Sequence, residues 1–498
     1  MSDPTDAAQV APFSRVVLFA AGTSLGAHLL TASRYGYHRD ELYFLAAADR
    51  PEWGYVDFPP VTPMIAKLAN GIFPSSLLGL RLLPAIACVL VIVLAGLIAR
   101  ELGARAFGQN LAAVGVLGAP VVLGTTALLS TAAFDMLWWA LIIFLVTRLL
   151  RTREAKLWVG IGAVAGAAFL TKYTVLVLLA ALAIAFVVTE ERKWIGSRWM
   201  WIGAILAFGF ALPNLLWQRE QGWPTLEYLQ NQDTSATADS RMSFLLEQIL
   251  NPGPLAFVLV VAGAVYLVRR QDTRVLGIAA LAVFAIFIAT QGKSYYTAPL
   301  YPLLFAGAGV ATERWIDRKG AGKLRSPRPI LTALVVFALV PLPGAIPVLP
   351  KDEIVKQELL LEIRSDYPDM FGWEELAEEV DDAVAQLTAE ERADAAVITA
   401  NYGEAGAVDF YSRAVDRAYS GHNGYHLWGP PPADTTTVIA VGFRPEDLAP
   451  RCGDVEQVGT LGNDEGVDNF EYGRPVHICR ELRVSMDDLW SDVKRYTA

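Results

Sequence analysis

The sequence predicts an α-helical polytopic membrane protein with about eleven transmembrane helices and a C-terminal extracytoplasmic α/β domain. Of its 498 residues, 54% are hydrophobic and 18% are charged, and the mean hydropathy is +0.36, whereas soluble domains carry about 25% charged residues. Apolar runs close to the roughly 20 residues that cross a bilayer recur through the first two thirds of the chain. The remainder is acidic and contains short buried-strand patterns, which predicts a water-exposed domain.

The apolar runs lie at about 13–32, 78–99, 108–128, 132–149, 157–171, 173–189, 199–217, 254–268, 274–291, 296–312 and 329–349. Their orientation follows from lysine and arginine, which are enriched in cytoplasmic loops. With the N-terminus inside, the cytoplasmic connections are "RELGAR", "RTREAK", "EERKWIGSR", "RRQDTR" and "ERWIDRKGAGKLRSPR", and all are basic. One flank disagrees, because Arg15 precedes the first span while Arg34 and Arg39 follow it. The loops outweigh this flank, and an odd number of spans places the tail outside.

The tail differs from the rest of the chain in composition. An acidic stretch from "KDEIV" to "AVAQL" is helical in pattern, and "AAVITANYG" and "TTTVIAVGF" predict short buried strands. We therefore expect a transmembrane domain at 1–350, with its first outer loop at 33–77, and an extracytoplasmic α/β domain at 351–498. The net charge of −10 argues against nucleic acid as a partner.

The three cysteines agree with this topology. Cys88 falls inside the second span, where a free cysteine packs like a small apolar residue. Cys452 and Cys479 both fall in the tail, and a pair of cysteines in an oxidising compartment predicts a disulfide. The alternative is two buried thiols.

Six ionisable residues come out at the outer face in this orientation: Asp40, Glu41, Asp57, Asp135, Lys172 and Lys293. Each also has a structural interpretation. Asp40 and Asp135 suit helix N-caps, Glu41 suits a structural loop carboxylate, and the two lysines suit interfacial snorkelling. Their joint placement on one face favours a shared function, because unrelated structural residues would occur at both faces.

Carboxylates and lysines together at an outer membrane surface suit sugar transfer from a lipid-linked phosphate. A carboxylate can take the proton from an attacking hydroxyl, and cations neutralise the phosphate that leaves. The carboxylates are also candidate oxygen ligands for a divalent cation, but their spacing is not diagnostic of one. No phosphate-cradling glycine loop is present in the sequence.

The stretches "YGYHRDELYF", "GYVDFPPVTPMIAKL", "TKY" and "KSYYTAPLYP" resemble glycosyltransferase family 39 over about residues 10–350. This family contains bacterial relatives of dolichyl-phosphate-mannose protein mannosyltransferases and of lipid A aminoarabinose transferases. The tail phrases "NYGEAGAVDFYS" and "SGHNGYHLWGPPP" are similar to uncharacterised bacterial members. The resemblance implies a multi-pass protein of the bacterial plasma membrane. It also implies a polyprenyl-phosphate sugar donor, such as a mannose-like donor, and an extracytoplasmic protein, lipid or glycan acceptor.

By position, the resemblance assigns the acid-base role to Asp40 within a motif that includes Glu41. It assigns the acid before paired prolines to Asp57 and the acid of the fourth span to Asp135. Some members have basic residues where this chain has Tyr43 and Phe58.

The donor phosphate is assigned to the lysines and the neighbouring aromatic residues. We expect Lys293, with Tyr295 and Tyr296 beside it, to hold the phosphate, and Lys172 to help. The tyrosines alternatively belong to the interfacial aromatic belt.

Two other classes of function remain open. A multi-span transporter is also apolar with intramembrane charges, but its ionisable groups are expected near the midplane. A non-catalytic scaffold that presents the C-terminal domain leaves Asp135 and the lysines without a role. An inverting transferase with a carboxylate base accounts for all of these residues.

The topology is testable by site-specific labelling. Residues 351–498 are expected outside the cytoplasm and residues 313–328 inside, because the basic loops define the cytoplasmic face. Reporter fusions or impermeant thiol reagents at these two segments measure this directly. Labelling of the tail only after the cytoplasm has been opened would contradict the orientation.

Overall fold

The computed structural model describes residues 11–231, 241–319, 328–364 and 366–497. Its contacts divide the chain into two compact units. The helical unit comprises Met1–Thr31, Arg81–Leu215 and Thr234–Ile346, and the α/β unit comprises Ala32–Leu80, Leu216–Asp233 and Pro347–Ala498. The division expected from the sequence lies near residue 350, whereas the α/β unit collects three segments and includes the first outer loop.

The helices are α1 (Arg15–Thr31), α2 (Arg39–Asp49), α3 (Val61–Ile72), α4 (Leu77–Glu101), α5 (Ala106–Leu117), α6 (Pro120–Thr125), α7 (Thr131–Thr152), α8 (Leu157–Phe169), α9 (Val175–Val187), α10 (Arg198–Glu220), α11 (Pro224–Gln230), α12 (Arg241–Leu250), α13 (Pro254–Arg269), α14 (Arg274–Ala289), α15 (Tyr301–Lys319), α16 (Arg328–Leu339), α17 (Leu342–Ala345), α18 (Lys351–Ile354), α19 (Glu358–Ile363), α20 (Trp373–Ala385), α21 (Ala389–Ala393), α22 (Tyr402–Tyr411), α23 (Gly424–Leu427), α24 (Pro445–Leu448) and α25 (Met486–Asp492). Short 3₁₀ helices lie at Glu190–Gly196, Ser294–Leu300 and Pro368–Met370. The strands are β1 (Ala395–Thr399), β2 (Ala418–Ser420), β3 (Thr437–Val441), β4 (Cys452–Thr460) and β5 (Pro475–Leu482).

Within the described residues, three helices are long and apolar enough to cross a membrane, namely α4, α7 and α10. Helices α12 and α13 pass the same test together, but they are bent by 101° at the break between them. Helices α1, α5, α8, α9 and α14 are apolar and have 10–17 residues. The helical architecture with a small sheet is confirmed, and the number of about eleven spans stays a prediction.

Helices α5 and α15 of the helical unit make close backbone contact. Glu313 of α15 accepts hydrogen bonds from the backbone N–H groups of Arg105, at 2.9 Å, and Gly108, at 2.7 Å. A carboxylate thereby satisfies amides that the start of α5 leaves free. A Cβ on Gly309 would come within 2.4 Å of the Gly108 carbonyl oxygen, so this approach requires glycine.

The α/β unit contains one five-stranded sheet in the order β2-β1-β3-β5-β4. Strand β1 runs parallel to β2 and β3, while β5 runs antiparallel to β3 and β4. Strands β1 and β3 are almost entirely buried, as is typical of central strands in α/β sheets. Both strands that the sequence predicts are confirmed. The acidic stretch at the start of the tail is helical, but it is broken into α18, α19, a 3₁₀ turn and α20.

The two cysteines of the tail are bonded to each other. Cys452 begins β4 and forms a disulfide with Cys479 of β5, 27 residues further along the chain. On the chain-entropy model, a cross-link closing a loop of this length stabilises the fold by roughly 3–4 kcal/mol. In the described part of the chain, Cys88 is a free, buried cysteine that accepts a hydrogen bond from Ser24 at 3.2 Å.

Candidate active site

The first acidic motif lies at the start of α2, directly after His38. The N–H of His38 donates to Glu41 Oε2 at 2.9 Å, and the N–H of Asp40 donates to His38 Nδ1 at 3.1 Å. This is a capping box, in which the third helical residue satisfies the N–H of the cap. Glu41 is fully buried and has a structural role, in agreement with its interpretation as a structural carboxylate. The cap of α2 is His38, so capping does not account for Asp40.

Asp40 is half-buried and its carboxylate is oriented by a residue of the tail. The hydroxyl of Tyr402 donates to Asp40 Oδ1 at 2.9 Å, across 362 positions of the sequence. Tyr402 is the first residue of α22, whose N-cap is Asn401. One carboxylate oxygen of Asp40 is therefore held, while the side chain stays partly accessible.

Asp57 lies beside this pair in the same unit. Its Oδ1 accepts a hydrogen bond from the Tyr43 hydroxyl at 3.1 Å, and its Oδ2 accepts one from Asn423 Nδ2 at 3.3 Å. Burial raises the pKa of Asp57 to about 7 and the charge of Asp40 adds to the rise, although both hydrogen bonds oppose it. An acid with a pKa near neutrality exchanges protons readily at physiological pH.

The two positions that depart from the family pattern contact each other. The rings of Tyr43 and Phe58 are 5.1 Å apart and edge-on, and Tyr43 also stacks on Tyr402 at 4.5 Å. The Tyr43 hydroxyl accepts a hydrogen bond from the Gly424 N–H at 2.7 Å. Two neutral, buried aromatic side chains thus occupy the positions where some relatives have cations.

The helical unit contains a second group of candidate residues. Asp135 lies in the first turns of α7, whose N-cap is Ser130, so a capping role does not account for Asp135 either. Asp135 Oδ2 accepts a hydrogen bond from Thr174 Oγ1 at 2.7 Å. Among the described residues, no hydrogen-bond partner meets Asp135 Oδ1, and this atom is buried. Burial of an ionisable group with an unused oxygen is typical of a functional residue at membrane depth.

Lys172 and two tyrosines complete this group. The Lys172 ammonium is 4.6 Å from the ring centroid of Tyr296 and 5.2 Å from that of Tyr295, which is the geometry of a cation–π contact. Lys172 also interacts electrostatically with Asp135. A small cavity is lined by Thr125, Ala132, Asp135, Met136, Lys172, Tyr295, Tyr296 and Pro299. Asp135 comes from the start of α7, Lys172 from the connection between α8 and α9, and the two tyrosines from the 3₁₀ helix that precedes α15.

The structure therefore brings the predicted residues together in two sets. The α/β unit gathers Asp40 and Asp57, and the helical unit gathers Asp135 and Lys172 with the tyrosines. The side chain of Lys293 is exposed and does not line the cavity, although it adjoins the tyrosines in sequence. Of the two lysines, Lys172 lines this cavity, and the assignment of the donor phosphate to Lys293 stays a prediction.

Sequence reasoning missed the tail residues that contact the acids, namely Tyr402 and Asn423. Both lie inside the phrases "NYGEAGAVDFYS" and "SGHNGYHLWGPPP" that carry the resemblance in the tail. Those phrases were the available signal, but nothing in them points to a particular acid. No group of three or more His, Cys, Asp or Glu side chains in the described ranges is arranged to hold a metal ion. A divalent cation stays an untested expectation.

Comparison with known proteins gives a family match and fold matches. The family model described as dolichyl-phosphate-mannose-protein mannosyltransferase matches residues 57–217. A sequence search among curated proteins finds no significant match. The family-model match over residues 57–217 includes Asp57, Asp135 and Lys172, so it covers candidate residues of both units.

Solved structures extend the similarity to nearly the whole chain. ArnT from Cupriavidus metallidurans, both in the apo state and bound to undecaprenyl phosphate, matches with a TM-score of 0.61 and 16% identity over 93% of this chain and 97% of that chain. Arabinofuranosyltransferase AftD from mycobacteria matches with a TM-score of 0.53 and 14% identity over 95% of this chain and 40% of that chain. These matches show a GT-C fold. The resemblance to glycosyltransferase family 39 is confirmed.

The raised pKa of Asp57 predicts a pH-dependent stability. An unfolded Asp titrates near about 3.9, whereas folded Asp57 titrates near 7, so its contribution to stability is present at low pH and lost as pH rises to 7. Asp57→Asn removes this loss. The unfolding temperature of the variant relative to the wild type is expected to increase by several degrees between pH 5 and pH 8.

Thermal unfolding of the purified full chain at a series of pH values measures this difference. Asp416→Asn changes an exposed carboxylate in the same unit and is the matched control, for which the difference should not depend on pH. Parallel curves for wild type and Asp57→Asn would show that Asp57 titrates at an ordinary pH.

Proposed function

We propose that this chain is a membrane glycosyltransferase that moves a sugar from a polyprenyl-phosphate donor to an extracytoplasmic acceptor. The observation that carries the proposal is the orientation of Asp40, whose carboxylate has one oxygen held by Tyr402 at 2.9 Å while the side chain stays partly accessible. A carboxylate in this state is suited to take a proton from a hydroxyl group. The acceptor is a protein, a lipid or a glycan.

In the proposed reaction, the acceptor hydroxyl attacks the anomeric carbon of the sugar, and Asp40 takes the hydroxyl proton. The new carbon–oxygen bond forms as the bond from the anomeric carbon to the phosphate oxygen breaks. Polyprenyl phosphate leaves with the electron pair of that bond. A single displacement of this kind inverts the configuration at the anomeric carbon. Asp57 is assigned the orientation of the acceptor, and its own two oxygens are held by Tyr43 and Asn423.

The helical unit supplies the phosphate-binding group in this proposal. Lys172 neutralises charge on the leaving phosphate, as cations do in phosphoryl and glycosyl-phosphate chemistry. Its ammonium rests on the faces of Tyr295 and Tyr296, which confine it without neutralising it. Asp135 orients Lys172 through their electrostatic interaction. The ArnT structure with undecaprenyl phosphate and the description of the matching family both support a polyprenyl-phosphate donor.

The transporter and scaffold alternatives fit these residues less well. Asp135 is the fifth residue of the 22-residue helix α7, and Lys172 lies between α8 and α9, so both stand near helix ends. Ionisable groups of secondary transporters are expected near the middle of spans. A scaffold does not require an acid held by its own tail or a lysine confined by aromatic rings.

Removal of the proposed base provides the central test. Asp40→Asn keeps the size and the hydrogen-bond acceptor but removes the base, so transfer is expected to fall by about 10²- to 10⁴-fold. Turnover is measured with the lipid-linked sugar fraction extracted from host membranes, by mass spectrometry of the released polyprenyl phosphate. In cells, envelope glycans of a deletion strain complemented with either form give the same comparison.

Asp49→Asn is the matched control for this variant, because Asp49 is an exposed acid at the other end of the same helix. It should turn over at the wild-type rate. Near-normal turnover by folded Asp40→Asn would remove Asp40 from the mechanism and leave Asp57 as the next candidate.

The lysines are compared by donor binding. Lys172→Gln should weaken binding of undecaprenyl phosphate by about 1.5–3 kcal/mol, the range for hydrogen bonds to charged groups. Lys293→Gln should cost less, because Lys293 is exposed and outside the cavity lining. Titration of each purified variant with undecaprenyl phosphate measures both affinities. Equal affinity of Lys172→Gln and wild type would show that Lys172 is an interfacial lysine.

A further inference from the structure

The last third of the chain donates hydrogen bonds to both acids of the first outer loop. We propose that Tyr402 and Asn423 are positioning residues of the transfer reaction, which hold the carboxylates of Asp40 and Asp57 in their reactive orientation. This inference rests on the proposed function. It gives the C-terminal α/β domain a direct part in the chemistry, beyond that of an attached outer module.

Both residues lie at the carboxyl edge of the sheet. Tyr402 follows β1, which ends at Thr399, and Asn423 follows β2, which ends at Ser420. Strands β2 and β3 flank β1 on opposite sides, so the order of the parallel strands in the sheet changes direction at β1. In α/β sheets this is the place where loops present functional groups to a ligand. In this chain the groups presented there meet two carboxylates of its own first outer loop.

The Tyr402 ring is confined on several sides, which fixes the direction of its hydroxyl. It stacks on Tyr43 at 4.5 Å, its other contacts include the Arg39 guanidinium at 4.8 Å, and the His422 ring lies 4.9 Å away. Burial raises the pKa of the Tyr402 hydroxyl well above its ordinary value, and Asp40 adds to the rise. The hydroxyl therefore remains a proton donor to Asp40 at physiological pH.

Two glycines allow Tyr402 to reach Asp40. A Cβ on Gly403 would lie 3.2 Å from the Cβ of Arg39, and a Cβ on Gly406 would lie 3.1 Å from the carbonyl carbon and the Cβ of Leu42. These distances are tighter than ordinary van der Waals contact, so helices α2 and α22 pack almost backbone to backbone. The phrase "YGEAG" at the start of α22 therefore combines the donor with the small residues that bring it into range.

Orientation matters because the terminal torsion of aspartate is broad and an unrestrained carboxylate rotates easily. A base must keep one oxygen directed at the acceptor hydroxyl, and misplacement by about 1 Å can cost about 10²-fold in rate. The Tyr402 hydroxyl anchors Asp40 Oδ1. Asn423 anchors Asp57 Oδ2 in the same way, opposite the Tyr43 hydroxyl on Oδ1.

Tyr402→Phe removes the hydroxyl and keeps the ring. In the full-length protein, the turnover number kcat for the extracted lipid-linked sugar fraction should fall by about tenfold or more, the loss expected for a hydrogen bond to a charged group. The half-saturating donor concentration and the unfolding temperature should stay near wild-type values. Tyr472→Phe is the matched control, because Tyr472 is an exposed tyrosine of the same unit and should keep full kcat.

A double variant separates positioning from a structural effect. If Tyr402 acts through Asp40, Tyr402→Phe should have little further effect on kcat in the Asp40→Asn background, because coupled residues are not additive. A full tenfold loss in that background would overturn the inference. So would full kcat in Tyr402→Phe alone. A fully active Asp40→Asn variant would contradict the proposed function itself. An inactive Asp40→Asn variant together with a fully active Tyr402→Phe variant would contradict only the positioning role of Tyr402.

Discussion

The close approach of α2 and α22 is the contact on which the acidic cluster depends. Gly403 faces Arg39 and Gly406 faces Leu42, so the contacts advance in the same direction along both helices. This packing places the first residue of α22, Tyr402, beside the second residue of α2, Asp40. A Cβ at either glycine would require the neighbouring atoms to give by a few tenths of an ångström, in the same contact that sets the distance between Tyr402 and Asp40.

Two helices that begin side by side leave several backbone amides to be satisfied in a small volume. Both use the same solution, a cap residue followed three positions later by a buried glutamate. Glu41 accepts from the N–H of His38, and Glu404 accepts from the N–H of Asn401 at 3.1 Å. Burial raises the pKa of Glu404 to about 8, and neighbouring Glu471 adds to the rise. The raised pKa reduces the negative charge that Glu404 carries at neutral pH relative to an ordinary glutamate, while its carboxyl group still accepts hydrogen bonds from the amides.

Local patterns in the sequence were sufficient for the parts of the fold that depend on neighbouring residues. The strands β1 and β3 follow from short apolar runs that end at turn residues, and the helical start at "DELYF" follows from its local pattern. The cap of α2 did not follow from the sequence, because histidine is not a usual N-cap residue whereas the neighbouring aspartate, Asp40, is one. The partner of Asp40 is 362 positions away, and no spacing rule joins residues so distant. The choice between Lys172 and Lys293 also depends on which side chain faces the cavity, which the order of residues does not encode.

The departures from the family pattern explain the charge state of the cluster. A cation near Asp57 would favour its ionised form and hold its pKa low. This chain has Tyr43 and Phe58 at the two positions where some relatives are basic, and their rings pack against each other at 5.1 Å. The hydroxyl of Tyr43 donates one hydrogen bond to Asp57, which opposes the effect of burial only in part, so the pKa of Asp57 remains near 7. The aromatic pair thus puts neutral rings where those relatives have cations, and the carboxyl group of Asp57 beside them titrates at physiological pH.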